Sequence, residues 1–202
     1  VLEHIIVICV VLTFLSWMWI NYIRSKKMIR EAKEAVFPTN AGVSPEMQTI
    51  NGKVEVLSFQ SKSWKTKRLL YFIASIFILI TIGITTLFEG DLSWTNLSIL
   101  ILIPLVIRNS LTLASFVVLQ SGVYIDECFY DWDDLYSYQV SPLKIGSEAY
   151  GMFDNSAQYT EIKFFLDNKN KKSFSVYVRV QTEVDKIRQL CREFKVIEVD
   201  EK

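Results

Sequence analysis

Long apolar runs dominate the first half of the chain, and short alternating runs dominate the second. The first run, about residues 4–23 (HIIVICVVLTFLSWMWINYI), and the second, about 69–88 (LLYFIASIFILITIGITTLF), are apolar on every side. Each is close to the ~20 residues that cross a hydrocarbon core, and an ordinary core helix is seldom apolar all round over that length. The pattern predicts a transmembrane helix in each. A third span starts near Leu92 (LSWTNLSILILIPLVI), and its end turns on Arg108. If the span is about 97–119, Arg108 lies near its centre, at a cost of roughly 2.5–3.5 kcal/mol, and marks a polar functional site. If it is about 92–107, Arg108 sits at the membrane interface and LTLASFVVL opens the next domain. Arg–Asn–Ser is a natural exit and Pro104 is tolerated within a span, which favours the second reading.

Beyond the spans the period drops to two. LTLASFVVLQ, GVYIDE, CFYDW, LYSYQVS, YTEIKFFLD and SFSVYVRV are short runs rich in aromatic and β-branched residues, the composition of strands. Ser121–Gly122 and NKNKK supply turn chemistry between neighbours. The period then changes again: Val184, Ile187, Leu190, Cys191 and Phe194 share one face of a helix over about 183–195. Thr182 and Asp185 form a weaker capping box, and Lys186, Arg188 and Arg192 face water. The stretch 141–158 is irregular, an extra hairpin or a long loop, and VIEVDEK is a short extension or a disordered tail. The expected layout is a span at 1–23, a basic linker with a juxtamembrane helix at 24–68, two spans within 69–107, and a C-terminal domain at 108–202.

Charge adds orientation. The linker holds Arg24, Lys26, Lys27, Arg30, Lys33, Lys53, Lys62, Lys65, Lys67 and Arg68, whereas EGDLSWTN between the later spans has only Glu89 and Asp91. The positive-inside rule then places the linker and the C-terminal domain in the cytoplasm and the N-terminus outside, in a multi-pass cell-membrane protein. The first run lacks a basic start and a small-residue cleavage site, so it reads as a retained span rather than a signal peptide. Arg24, Lys26, Lys27, Arg30, Lys65, Lys67, Arg68 and Arg108 are candidates for contact with anionic lipid headgroups; the same residues also serve simply to set topology.

The pattern Gly122–Val123–Tyr124–Ile125, then Cys128–Phe129–Tyr130, then Trp132–Asp133–Asp134–Leu135, resembles the opening of bacterial PH-like domains. The order of parts (a span, a basic linker, two close spans, then this domain) resembles a family of small bacterial inner-membrane proteins of the YobD type, best over about 97–195. The resemblance implies an α+β membrane protein: three transmembrane helices followed by a cytoplasmic PH-like split β-barrel capped by one C-terminal helix. It supplies no catalytic residues, and fold alone does not fix function.

Chemistry is sparse. His4 is the only histidine, so Ser and Cys nucleophiles have no base near the C-terminal domain. The three cysteines, Cys9, Cys128 and Cys191, are too few and too widely spaced for a disulfide framework or zinc site; the last two read as buried thiols. Asp126, Glu127, Asp131, Asp133 and Asp134 are oxygen-rich but match no calcium-loop spacing, so they read as solvated strand faces and turns, with no metal or cofactor. Net charge is zero and the C-terminal domain is net acidic, which argues against nucleic acid as a partner. Trp132, Asp133, Asp134 and Tyr136 are a candidate interaction surface, although core packing competes for the aromatic residues. The expectation is a non-enzymatic protein that binds a protein partner or the membrane surface. The alternatives are a bacteriocin or toxin immunity protein and an accessory subunit of a transport or secretion complex.

Overall fold

The computed structural model describes residues 2–38, 46–87, 112–147, 149–166 and 172–199. The chain divides into two compact units, one of Val1–Ile29 with Ser58–Thr112, the other of Arg30–Leu57 with Leu113–Lys202.

The first unit is built on helix α1, Leu2–Glu31, which continues into the second unit at its last two residues, and helix α2, Lys62–Leu87. One side of each packs on the other: Met18 of α1 meets Tyr71 and Ala74 of α2, with Leu15 and Tyr22 alongside. Polar side chains within them return their hydroxyls to the preceding turn. Thr13 Oγ1 donates to the Cys9 carbonyl at 2.8 Å and Ser75 Oγ to the Tyr71 carbonyl at 2.8 Å, which removes the cost of an unpaired group on an apolar helix.

The expected membrane architecture does not hold. Among the described residues no helix is long and apolar enough to cross a membrane. The apolar run of each helix is shared with a block of cations: α1 carries Arg24, Lys26, Lys27 and Arg30 in its last turns, and α2 opens on Lys62, Lys65, Lys67 and Arg68. The two predicted spans, the multi-pass cell-membrane placement and its outside-to-cytoplasm orientation are corrected accordingly. The third predicted span, 92–107, and Arg108 lie outside the described residues.

The second unit holds the sheets. Strands β1 (Met47–Thr49), β2 (Gly52–Lys53), β6 (Ser137–Pro142), β7 (Thr160–Phe165), β8 (Ser173–Val178) and β9 (Ile197–Glu198) form a mixed sheet of six strands in the order β2-β1-β8-β7-β6-β9. Strands β3 (Phe116–Val118), β4 (Gly122–Ile125) and β5 (Cys128–Asp131) form a three-stranded antiparallel sheet. Helix α3, Gln181–Glu193, follows β8. The fold class is therefore α+β, with an N-terminal helix, a large mixed sheet and a C-terminal helix, in place of three transmembrane helices and a PH-like barrel confined to 108–202. The sheet takes β1 and β2 from the segment read as linker and β9 from the tail, where β9 runs parallel to β6 through Ser137–Ile197 and Tyr138–Glu198.

One core joins these layers. Phe116, Val118, Val123 and Ile125 of the small sheet pack with Tyr138, Ile162, Phe164, Val176 and Val178 of the large one and with Val184, Ile187, Leu190 and Cys191 of α3. The spacing of the α3 residues is that of a single helical face. Thr182 does not cap this helix: its N-cap residue is Val180, which makes no side-chain cap bond, and Gln181 Nε2 donates instead to Asp185 Oδ1 at 3.1 Å. Burial pushes the Cys191 thiol up to about 12, so it stays a neutral packing group. Cys128, expected in the core, is exposed.

Glu198 secures the tail. Its carboxylate accepts from Tyr138 Oη at 2.9 Å, Arg188 Nε at 3.0 Å and Arg192 Nη2 at 3.2 Å. Burial acts to raise its pKa, but these donors outweigh it and hold the group below the ordinary carboxylate value. The irregular stretch after β6 packs on itself: Leu143, Ala149, Phe153 and Tyr159 make a small apolar cluster with Tyr177 of β8, and Ser156 Oγ donates to the Phe153 carbonyl at 2.7 Å.

Candidate binding surfaces

The cations expected to meet headgroups are placed by the two helices. Arg24, Lys26, Lys27 and Arg30 are exposed along α1, and Lys65 and Arg68 are exposed on the first turns of α2. Lys67 lies elsewhere: it is 1% exposed, with Nζ 5.7 Å from the centroid of the Tyr71 ring. One residue of helical phase separates it from Arg68 and turns it inward, where its ammonium meets an aromatic face.

The helices also present apolar side chains to the outside. Leu69 and Phe72, at 58% and 59%, Ile73, Ile76, Phe77, Leu79 and Ile80 are exposed on α2, as are Leu12, Trp19, Ile20 and Ile23 on α1. A row of this kind, continuous along a helix and bordered by cations, is more than the scatter of single exposed apolar residues that any surface carries. The length and hydropathy of the two runs predict lipid-crossing spans, which would be apolar all round and not exposed on one side only. The signal available was the i, i+3, i+4, i+7 spacing of Tyr71, Ala74, Ser75 and Ile78, which marks the buried side of α2.

The residues expected to form an interaction surface on the second unit divide. Trp132–Asp134 form a short 3-10 turn, closed by a capping box in which Asp131 accepts from Asp133 N at 3.4 Å and Asp134 Oδ2 from Asp131 N at 3.4 Å. The Trp132 ring stacks on Phe194 with centroids 4.3 Å apart and planes 10° apart. Its Nε1 donates to the Leu119 and Gln120 carbonyls at 3.2 and 3.1 Å. Trp132 is thus a bolt between the β3–β4 turn and the end of α3. Asp133, Asp134 and Tyr136 remain exposed.

The other acids have separate tasks. Asp126 and Glu127 form the two-residue loop of the β4–β5 hairpin, with φ of 46° and 69°. Both central residues of such a loop need left-handed backbone, which side chains other than Gly and Asn adopt at a cost. The carboxylates offset it. Asp126 Oδ1 accepts from Thr49 Oγ1 at 2.7 Å and from Ser115 N at 3.3 Å, and Glu127 Oε1 accepts from Leu113 N at 3.3 Å. Asp126 therefore ties the β1–β2 hairpin to the small sheet from a half-buried position, rather than lying solvated. Among the described residues no three His, Cys, Asp or Glu side chains gather as metal ligands.

Burial raises the Asp126 pKa above the ordinary carboxylate value, and the bonds from Thr49, Ser115 and Asn51 only partly offset this. A raised folded-state value means that its contribution to stability is full below the unfolded value, near 3.9, and is lost as pH rises through the folded one. At neutral pH the charge is a net cost. Asp126→Asn keeps an acceptor, drops the charge and suits left-handed backbone, so it is expected to stabilise the fold by about 1 kcal/mol at pH 7. The gain should shrink as pH falls towards 4. Asp126→Ala, which strands the Thr49 and Ser115 donors, should cost about 2 kcal/mol. Urea denaturation of both variants across this pH range checks the sign, and a destabilised Asn variant at pH 7 would refute it.

Comparison with protein-family models, curated proteins and solved structures finds no match.

Proposed function

We propose that this chain is a non-enzymatic binding protein that attaches to the surface of an anionic lipid bilayer through its α1–α2 hairpin. The observation that carries this reading is the exposed apolar row of α2, from Leu69 to Ile80, which begins one residue after the exposed Arg68. Water solvates such a row poorly, whereas the boundary between headgroups and acyl chains receives apolar side chains on one side and cations on the other. Each cation near an anionic surface adds about 1 kcal/mol, and six of the expected ones are exposed on the two helices. Of the two occupants expected from the sequence, a protein and a lipid surface, this pairing of apolar and basic side chains favours the lipid.

The test is sedimentation of the full chain with vesicles. The chain should sediment with vesicles of phosphatidylglycerol and phosphatidylcholine at least about tenfold more strongly than with phosphatidylcholine alone. Raising the salt from about 0.05 M to about 0.5 M should weaken the anionic case, because the Debye length contracts. Equal association with both vesicle types, or with neither, would refute the reading.

A further inference from the structure

A cavity between α1 and α2 takes the lipid-surface reading, on which it rests, one step further. On α2, Lys65, Arg68, Leu69 and Phe72 follow one another at spacings of three, one and three residues, which sets them in a single stripe. On α1, Trp19 and Tyr22 share a face in the same way. With Tyr71 these residues line a cavity of about 520 Å³. That volume suits a small amphiphile.

The interior is aromatic and its rings are held in place. Tyr71 is buried, and its ring lies 5.7 Å from that of Tyr22. Tyr22 is in turn stacked on Trp64 at 5.2 Å, with planes 19° apart, and met edge-on by Trp19 at 5.4 Å. Leu69, Phe72 and Trp19 keep much of their surface exposed. Among the described residues the lining contains two cations and no carboxylate. The buried Lys67 Nζ lies 5.7 Å from the ring of Tyr71, one of the lining residues. A cavity with cations and apolar walls is complementary to a molecule with an anionic head and an apolar tail.

We propose that this cavity binds one anionic phospholipid molecule, its phosphate between Lys65 and Arg68 and an acyl chain along Leu69, Phe72 and Trp19. A phosphocholine head would bring its own cation towards the same two side chains and is disfavoured. Attachment to a surface needs only a summed charge and an apolar face; this site requires in addition a saturable, one-to-one interaction with a lipid that is not part of a bilayer.

The experiment titrates the full chain with short-chain phosphatidylglycerol below its micelle concentration, read by calorimetry. Phosphatidylcholine of the same chain length and inorganic phosphate serve as comparison ligands. Saturable binding of the phosphatidylglycerol at one site per chain is expected, about tenfold or more weaker for phosphatidylcholine and undetectable for inorganic phosphate. Lys65→Gln with Arg68→Gln, both at exposed positions, should weaken it at least about tenfold with unchanged far-UV circular dichroism. Phe72→Ser should weaken it without altering charge. Vesicle sedimentation that persists while the short-chain lipid fails to bind would overturn the cavity proposal and leave surface attachment standing. Equal binding of phosphatidylcholine, binding of inorganic phosphate as strong as that of the lipid, or an unaffected double variant would overturn it as well. Failure of sedimentation alongside saturable binding of the short-chain lipid would instead remove the surface reading and retain the site.

Discussion

Truncating Trp132 to alanine is expected to cost the second unit about 3 kcal/mol, at the low end of the range for large aromatic residues because this ring is only partly buried. Three contacts go together. The stack on Phe194, at 4.3 Å, is lost, and with it the packing that seats the end of α3 on the core. The indole N–H, shared between the Leu119 and Gln120 carbonyls at 3.2 and 3.1 Å, leaves two acceptors of the β3–β4 turn without it. Trp132→Phe separates these effects. It keeps a ring for Phe194 and loses only the donor, so it should cost about 1 kcal/mol. Denaturant unfolding of the two variants distinguishes the bolt from an exposed binding ring. A Trp132→Ala chain as stable as the parent would mean that the residue does not hold the fold together.

Gly122→Ala should be nearly as damaging, at about 2–3 kcal/mol, although it adds a single methyl group. Gly122 opens β4 opposite Asp131, and a Cβ there would run into the Tyr130 carbonyl oxygen and come within 2.8 Å of Phe129 Cζ. Phe129 is exposed and its ring can swing aside. The carbonyl belongs to the β5 backbone and can yield only by parting the β4–β5 ladder. The Gly122 carbonyl also accepts from Leu119 N at 2.8 Å, so the disturbance reaches the turn that Trp132 closes. The two variants share this turn, and the double variant should therefore cost less than the sum of the singles. An alanine variant within about 0.5 kcal/mol of the parent would contradict the clash.

The strands of the second half were legible because each is a short alternating run bounded by turn residues: β3, β4, β5, β7 and β8 lie inside the runs read as strands, and β6 extends past its run to Pro142, into the stretch read as irregular. The buried face of α3 was legible for the same reason, through Val184, Ile187, Leu190 and Cys191. What escaped the sequence depends on partners remote in the chain. β1 and β2 are three and two residues long, too short for a period to register, and β1 becomes a strand by pairing with β8 through Met47–Val178. β9 is two residues, held by the Glu198 bonds to Tyr138, Arg188 and Arg192. The β4–β5 loop carries Asp126–Glu127 rather than the Asn–Gly that announces such a turn, and its acceptance depends on Thr49, far away in sequence.

The helices of the first unit show the opposite fault. Their apolar runs were conspicuous, and length with hydropathy suggested spans. Helical phase, read residue by residue, separates Tyr71, Ala74, Ser75 and Ile78 on the buried side from Phe72, Ile73, Ile76 and Phe77 on the exposed one. It also explains why Lys67 and Arg68, adjacent in sequence, differ in burial. Composition averaged over a window hides this division, and the candidate lipid surface consists of it.

The central claim is that the exposed face of α2 meets anionic lipid. Its most direct test places an environment-sensitive fluorophore on a cysteine at Ile76, with Cys9, Cys128 and Cys191 replaced, and a control probe at Ile145, which is 84% exposed in the second unit. On adding phosphatidylglycerol vesicles, the probe at Ile76 should brighten and shift to the blue while the probe at Ile145 stays unchanged. An unchanged signal at Ile76, or the same change at both positions, would contradict the account.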